Sequence, residues 1–327
     1  MKGLITAIAL VSALFSAHAG GEDPVGGIDP KKITVSGVSS GANMAHQLHL
    51  AYPEIFSGAG IVAGAPFGCA AGSVTTAFAR CMRQAGPDLD AKSLSAQVAA
   101  AAENGEVGKL ELLADDRVWI FHGQLDTVIA RGVVDATAEL YREFLPPENV
   151  RYVTDVAAAH TFPTQDQGTA CDVSESPFVG DCGFDTAGEL LGFLYPGLDA
   201  PAAGASGAPQ QVSVAGETAG LSGSAWLLVP PQCTAAESGC GLHLVLHGCG
   251  QAHAQVDMQF VNLSGYIPWA IANDIVLAFP QVEPSAVNPL ACWDWWGYTG
   301  GDYLTRSGAQ MKFLADWARS LAGLAEG

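Results

Sequence analysis

One pentapeptide constrains this chain more than any other stretch: Gly37-Val38-Ser39-Ser40-Gly41. A β-branched run (Ile33-Thr-Val-Ser36) leads into it, and a helix-compatible run over 40–51 follows. That pattern describes a strand, a sharp turn and a helix, with a serine on the turn. Side chains at Gly37 and Gly41 would crowd the backbone around that serine. In a chain with 39 glycines the pentapeptide alone carries little weight, and the strand before it and helix after it are what give it meaning. A base, an acid and an oxyanion hole must come from the rest of the chain.

The N-terminus has a separate logic. Lys2 precedes an apolar run over 4–15, too short to span a bilayer, and Ala17-His18-Ala19 fits a cleavage site. These features predict a signal peptide over 1–19 and a secreted protein, extracellular or periplasmic, formed by residues 20–327. That length suits one large domain with a sizeable core. No later stretch is long and apolar enough for a transmembrane helix. The formal charge of −19 argues against nucleic acid, polyphosphate or an anionic membrane as partner and is compatible with a neutral or insoluble substrate.

The eight cysteines are an even number, which in an exported chain points to disulfides. They fall in close sequence pairs: Cys69 with Cys81, Cys171 with Cys182, Cys233 with Cys240, and Cys249 with Cys292. Sequential pairing is the expectation, although eight cysteines allow 105 connectivities. No C-x-x-C spacing occurs, and no metal site is expected.

Along the chain, strands are predicted over 59–63, 118–121 and 150–156, with helices over 94–102, 110–114 and 133–144 between them. This alternation argues for a parallel sheet. Residues 64–86 and 162–184 read as loops, and 185–194 as a helix. Residues 197–211, rich in Ala, Gly and Pro, read as a connector. Beyond it, 211–214 and 224–229 look like an antiparallel pair. Strands over 242–246 and 275–279 and helices over 258–273 and 304–321 follow.

A serine hydroxyl needs a histidine to take its proton and an acid to orient that histidine. In α/β-hydrolases these come in the order serine, acid, histidine, on loops after successive strands. Asp126 follows the 118–121 strand and His160 follows the 150–156 strand, where that fold requires them. Asp155 is the rival acid, but it lies within the strand pattern. His243, His247 and His253 follow a different strand, and His46 and His49 sit on the helix after the serine. The oxyanion hole needs two backbone N–H groups. One belongs to Ser40. The other is expected from His247-Gly248-Cys249-Gly250, which follows an apolar strand but lies about 200 residues after the serine rather than before it. Joining the two ends of the mature chain and cutting in the 197–211 connector restores the usual order. The expected fold is therefore a circularly permuted α/β-hydrolase, α/β in class, with a mostly parallel central sheet flanked by helices.

Longer motifs add to this reading. Leu246-His-Gly-Cys-Gly-Gln251, Ser264-Gly-Tyr-Ile-Pro-Trp-Ala270, Phe279-Pro-Gln281 and Cys292-Trp-Asp-Trp-Trp-Gly-Tyr298 resemble the extracellular poly(3-hydroxybutyrate) depolymerases. So does the run from Cys171 through Ser176-Pro-Phe and Cys182 to Asp185-Thr-Ala-Gly188. The nucleophile near the mature N-terminus looks like the family's circularly permuted, single-domain type, and the resemblance covers nearly the whole mature chain. It implies Ser39 as nucleophile, Asp126 as acid, His160 as base, and the Ser40 and Cys249 amides as oxyanion hole. It also implies Trp293, Trp295 and Trp296 as substrate-contacting candidates. Many members carry an appended polymer-binding domain. The absence of such a segment here leads to the expectation of weak attack on crystalline polymer. Read from the residues alone, the tryptophan cluster tethered by Cys292 to Cys249 would form an apolar wall beside the oxyanion hole, with at least one tryptophan packing the core.

The expected chemistry is ester hydrolysis through an acyl-enzyme, with a polyester or oligoester as substrate and without cofactor or metal. Two alternatives share parts of the pattern. One is a secreted feruloyl or acetyl-xylan-type carboxylesterase. The other is a catalytically idle hydrolase fold that binds polyester.

Overall fold

The structure, a computed structural model, describes residues 25–83, 89–214 and 219–325. The signal peptide expected over 1–19 lies outside the described residues. In chain order the elements are β1 (Ile28–Val38), α1 (Ser40–Ala51), β2 (Gly58–Val62), α2 (Val74–Arg80), α3 (Ala91–Glu103), β3 (Arg117–Phe121), α4 (Arg131–Arg142) and β4 (Val150–Val153). There follow β5 (Phe162–Thr164), β6 (Thr169–Ala170), β7 (Val179–Asp181), α5 (Thr186–Leu194), β8 (Gln210–Ser213), β9 (Ser224–Leu228) and β10 (Cys240–Leu246). The chain ends with α6 (His253–Val256), α7 (Gln259–Leu263), α8 (Tyr266–Ala272), β11 (Ile275–Phe279) and α9 (Ala309–Leu321).

Eight strands form one sheet in the order β4-β3-β2-β1-β10-β11-β9-β8. The six strands from β4 to β11 run parallel, while β9 and β8 pair antiparallel. The strand that opens the chain therefore sits in the middle of the sheet, between β2 and β10. Strands β2, β10 and β11 are buried at every residue, as expected of parallel strands covered on both faces. One cluster of apolar side chains packs α1, α3, α4 and α9 onto one face, and a second packs α5, α7 and α8 onto the other. This is the α/β architecture expected from the alternating pattern.

The main departures lie in the loops. Residues 64–86, read as a loop, contain the short helix α2, capped by the Ser73 hydroxyl and bracketed by the Cys69–Cys81 disulfide. Two turns of helix are too short to leave a clear period. Residues 162–184, also read as a loop, hold a second, three-stranded sheet in the order β5-β7-β6. The strand expected over 150–156 ends at Val153. The helix expected over 258–273 breaks at Gly265, whose φ of 81° a right-handed helix cannot contain. The helix expected from residue 304 starts at Ala309. The turn before it packs Gly308 against the Asp302 carbonyl oxygen, leaving no room for a Cβ.

Candidate active site

Strand β1 turns into α1 at Ser39, which has φ 56° and ψ −118°, a strained backbone for any residue with a side chain. The two glycines of the pentapeptide make that turn possible. A Cβ on Gly37 would lie 2.4 Å from the Gly41 carbonyl oxygen, and one on Gly41 would lie 2.3 Å from the Leu246 carbonyl oxygen. The second contact shows that the elbow is pressed against the end of β10. The turn is held by the Ser39 amide, which donates to the Val62 carbonyl at 2.8 Å.

Asp126 and His160, 34 residues apart, meet after β3 and β4. His160 Nδ1 lies 2.8 Å from Asp126 Oδ2. The other carboxylate oxygen of Asp126 accepts the amides of Val128 at 2.8 Å and Ile129 at 2.9 Å. Burial works to raise the Asp126 pKa, but the His160 hydrogen bond and charge, with the two amides, outweigh it and leave it lowered. The carboxylate therefore stays ionised beside the imidazole. Asp155, the rival acid, is exposed to solvent on another part of the surface. Histidines 46, 243 and 247 are fully buried, and burial pushes their pKa values down to about 3, 3 and 4. They are packing histidines held neutral. His49 is likewise buried, against Asp116 and Tyr141.

Ser39 and His160 line one cavity of about 400 Å³ together with Cys249, Phe178, Trp295 and Trp296. The Ser40 and Cys249 amides make no hydrogen bond among the described residues. In the turn 248–251 the other amides are occupied. Gly248 N–H donates to Gln251 Oε1, Gly250 N–H to the Leu290 carbonyl, and Gln251 N–H to the Gly248 carbonyl. Cys249 N–H is the amide left over, beside the elbow serine. All four sequential disulfides are present: Cys69–Cys81, Cys171–Cys182, Cys233–Cys240 and Cys249–Cys292. The last ties the turn to the start of the tryptophan loop.

The three tryptophans do not share a role. Trp295 and Trp296 are half-buried and line the cavity. Trp293, expected among the substrate contacts, is instead fully buried in the core, its ring 5.4 Å from that of His247. Its position next to the disulfide turns it inward while the loop beyond carries its neighbours outward. The sequence reading missed Asp294. Its buried carboxylate accepts the amides of Trp296, Gly297, Tyr298 and Thr299 and the Thr299 hydroxyl, and so shapes the loop. An acid within an aromatic run was the available signal. Asn43 also escaped notice: it lines the cavity and its side-chain oxygen accepts the Ala65 amide at 2.6 Å.

No protein-family model matches the chain. Individual proteins do. A poly(3-hydroxybutyrate) depolymerase of Delftia acidovorans is 40% identical over 307 residues, 91% of this chain and 61% of that protein. By sequence and fold, this chain is similar to poly(3-hydroxybutyrate) depolymerases. The chain spans about 61% of the length of the Delftia depolymerase. A polyhydroxybutyrate depolymerase of Talaromyces funiculosus is 29% identical, with 91% of each chain covered. The crystal structure of a depolymerase from Penicillium funiculosum superposes with a TM-score of 0.86 at 29% identity, covering 93% of this chain and 99% of that one. A second depolymerase structure, a serine-to-alanine variant complexed with an R3HB trimer, matches equally well, with a TM-score of 0.86.

Proposed function

We propose that this chain is a secreted serine esterase that hydrolyses poly(3-hydroxybutyrate) and its oligomers. The observation that carries the reading is the convergence of a strained serine, a carboxylate-held imidazole and Cys249 on one apolar cavity, with the Cys249 and Ser40 amides free of hydrogen-bond partners among the described residues. With Asp126 accepting from Nδ1–H, His160 keeps Nε2 as the proton acceptor. Ser39 Oγ attacks the ester carbonyl as its proton passes to Nε2. The Ser40 and Cys249 amides hold the developing oxyanion. Nε2 then protonates the leaving alkoxide, and water, activated by the same nitrogen, releases the acyl group from Ser39.

The cavity favours a polyester. Its lining is overwhelmingly apolar, and Val74, Phe78, Val287 and Leu290 stand exposed at its edge. Such a surface meets a neutral chain that offers carbonyls and methyl groups but few hydrogen-bond donors. The 61% and 99% length matches involve proteins named for depolymerising this polymer, and one of them is described with a hydroxybutyrate trimer bound. The mid-sheet position of β1 supports circular permutation. Taken from β8 to β11 and then from β1 to β4, the sheet order becomes 1-2-4-3-5-6-7-8, with its chain break in the 197–211 connector.

Incubation with amorphous poly(3-hydroxybutyrate) and with defined oligomers tests the function: soluble hydroxybutyrate products and a phosphonate adduct on Ser39 are expected. An adduct together with faster turnover of feruloyl or acetyl esters would move the enzyme to the plant-wall class. Absence of both adduct and products would leave only a binding role. The mass of the exported protein, expected to begin at residue 20, tests the leader.

A further inference from the structure

The cavity is assembled from loops that follow different strands. The turn 248–251 follows β10, whereas His160 follows β4. One side chain joins them. Gln251 is 2% exposed, and its amide group is fully used. Oε1 accepts the Gly248 amide at 2.7 Å, closing the turn that presents Cys249 N–H. Nε2 donates to the carbonyls of Pro177 and Phe178, at 3.0 Å each.

Those two carbonyls belong to the segment that holds the histidine loop. The Phe178 carbonyl also accepts the amide of Phe162, two residues past His160. In the same segment Ser174 Oγ donates to the His160 carbonyl at 2.9 Å, and the Cys171 carbonyl accepts the Ala159 amide at 2.8 Å. The Cys171–Cys182 disulfide closes the segment into a loop. The bonded path therefore runs from the oxyanion turn, through Gln251, to the backbone on both sides of the imidazole.

We infer that Gln251 is a positioning residue that couples the Cys249 oxyanion amide to the His160 loop. This rests on the esterase reading above. A carboxamide suits the task because it offers an acceptor at one end and two donors at the other on one rigid plane. Methionine has the length without the hydrogen bonds, and alanine has neither. Without Gln251, Gly248 N–H loses its partner and the turn is free to rotate Cys249 N–H away from the reacting oxygen. Displacements near 1 Å cost on the order of 10²-fold in rate, and loss of an oxyanion donor costs about 10²–10³-fold.

The test compares wild type with Gln251→Met and Gln251→Ala on p-nitrophenyl butyrate. Active sites are counted by phosphonate titration, and affinity is measured for an alkyl boronic acid that forms a tetrahedral adduct on serine. The expected result is a fall in kcat per titrated site of about 10²-fold with KM within about threefold, and a parallel fall in boronate affinity. A purely structural residue would lower the titratable fraction and leave turnover per site unchanged. Turnover per site within threefold of wild type overturns the inference. So does a fall in turnover with unchanged boronate affinity, or failure of both variants to fold. A wild type that neither reacts with the phosphonate nor hydrolyses the ester sinks the esterase reading itself, which separates the two failures.

Discussion

The two sides of the cavity are built by different means. The floor is sheet: Ser39 sits at the end of β1, and Asp126 and His160 follow β3 and β4, so strand register sets their spacing. The tryptophan wall has no regular structure beneath Trp295 and Trp296. It is held by the Cys249–Cys292 disulfide and by one carboxylate, Asp294, that gathers four backbone amides. A strand-end site tolerates little change because its geometry is shared with the core. A loop gathered by one side chain changes shape without unfolding the domain. Substitutions on the floor are therefore expected to act on turnover, and those on the wall on substrate binding.

The largest separation is expected at Ser39. Ser39→Ala removes the proposed nucleophile and should lower kcat by about four to six orders of magnitude while the melting temperature stays close to wild type. Activity within tenfold of wild type would break the assignment of the floor to chemistry. Asp126→Asn comes next. It removes the charge that holds Nδ1–H and should cost about 10⁴-fold in kcat. Asp155→Asn, on an exposed residue away from His160, should leave kcat unchanged. A larger loss at Asp155 would reverse the choice of acid.

Acid tests the floor in another way, through stability. His46 on α1, His243 in β10 and His247 just after it are buried and neutral, with pKa values near 3, 3 and 4. In the unfolded chain each returns to about 6.5. Their folded pKa values are depressed, so stability is complete above pH 6.5 and is lost as pH falls toward 4 or 3, where the unfolded chain binds protons that the folded one does not. Each contributes a slope of about 1.4 kcal/mol per pH unit within that window. Urea titrations at pH 7, 6, 5 and 4 should show this loss, and replacing His243 with Gln should flatten it. A stability independent of pH between 6.5 and 4 would show that the three imidazoles are not held neutral. The wall holds none of these histidines, so acid is expected to act on it only through the core beneath.

The same contrast governs what could be read from the sequence. The elbow was legible because its cause is local: a strand, two glycines and a helix state a steric requirement in consecutive residues. Asp126 and His160 were legible because strand ends fix where such groups stand. The late His-Gly-Cys-Gly run was legible as a turn after a buried strand, and the structure places that strand, β10, next to β1 despite their distance along the chain. The wall was read as an apolar cluster with at least one tryptophan in the core, without a way to say which. Nothing in Cys292-Trp-Asp-Trp-Trp states that Trp293 turns into the core while Trp295 and Trp296 face the cavity, because the loop has no period of 2 or 3.6 residues to assign faces. Asp294 and Gln251 act through backbone groups whose positions exist only once the chain has folded. The β5-β7-β6 sheet escaped for a similar reason: strands of two or three residues carry no alternation to detect.

The smallest expected effect is the one that most sharpens the contrast. Asp294→Asn is nearly isosteric. It leaves an acceptor on one side of the group but places an NH₂ where the carboxylate accepts hydrogen bonds, against the amides at one end of the loop or the other. A buried donor without an acceptor costs about 1–3 kcal/mol, enough to release part of a loop that has no strand to hold it. Among the described residues the floor makes no hydrogen bond to this carboxylate, so turnover of a small soluble ester should remain within threefold. KM for hydroxybutyrate oligomers, expected to reach the Trp295 and Trp296 rings that line the cavity, should rise roughly tenfold, the equivalent of about 1.4 kcal/mol. Steady-state kinetics on ester and oligomer with one preparation reads both numbers. Equal loss on the two substrates would mean that the wall carries the floor with it, and that the cavity behaves as one body rather than as two.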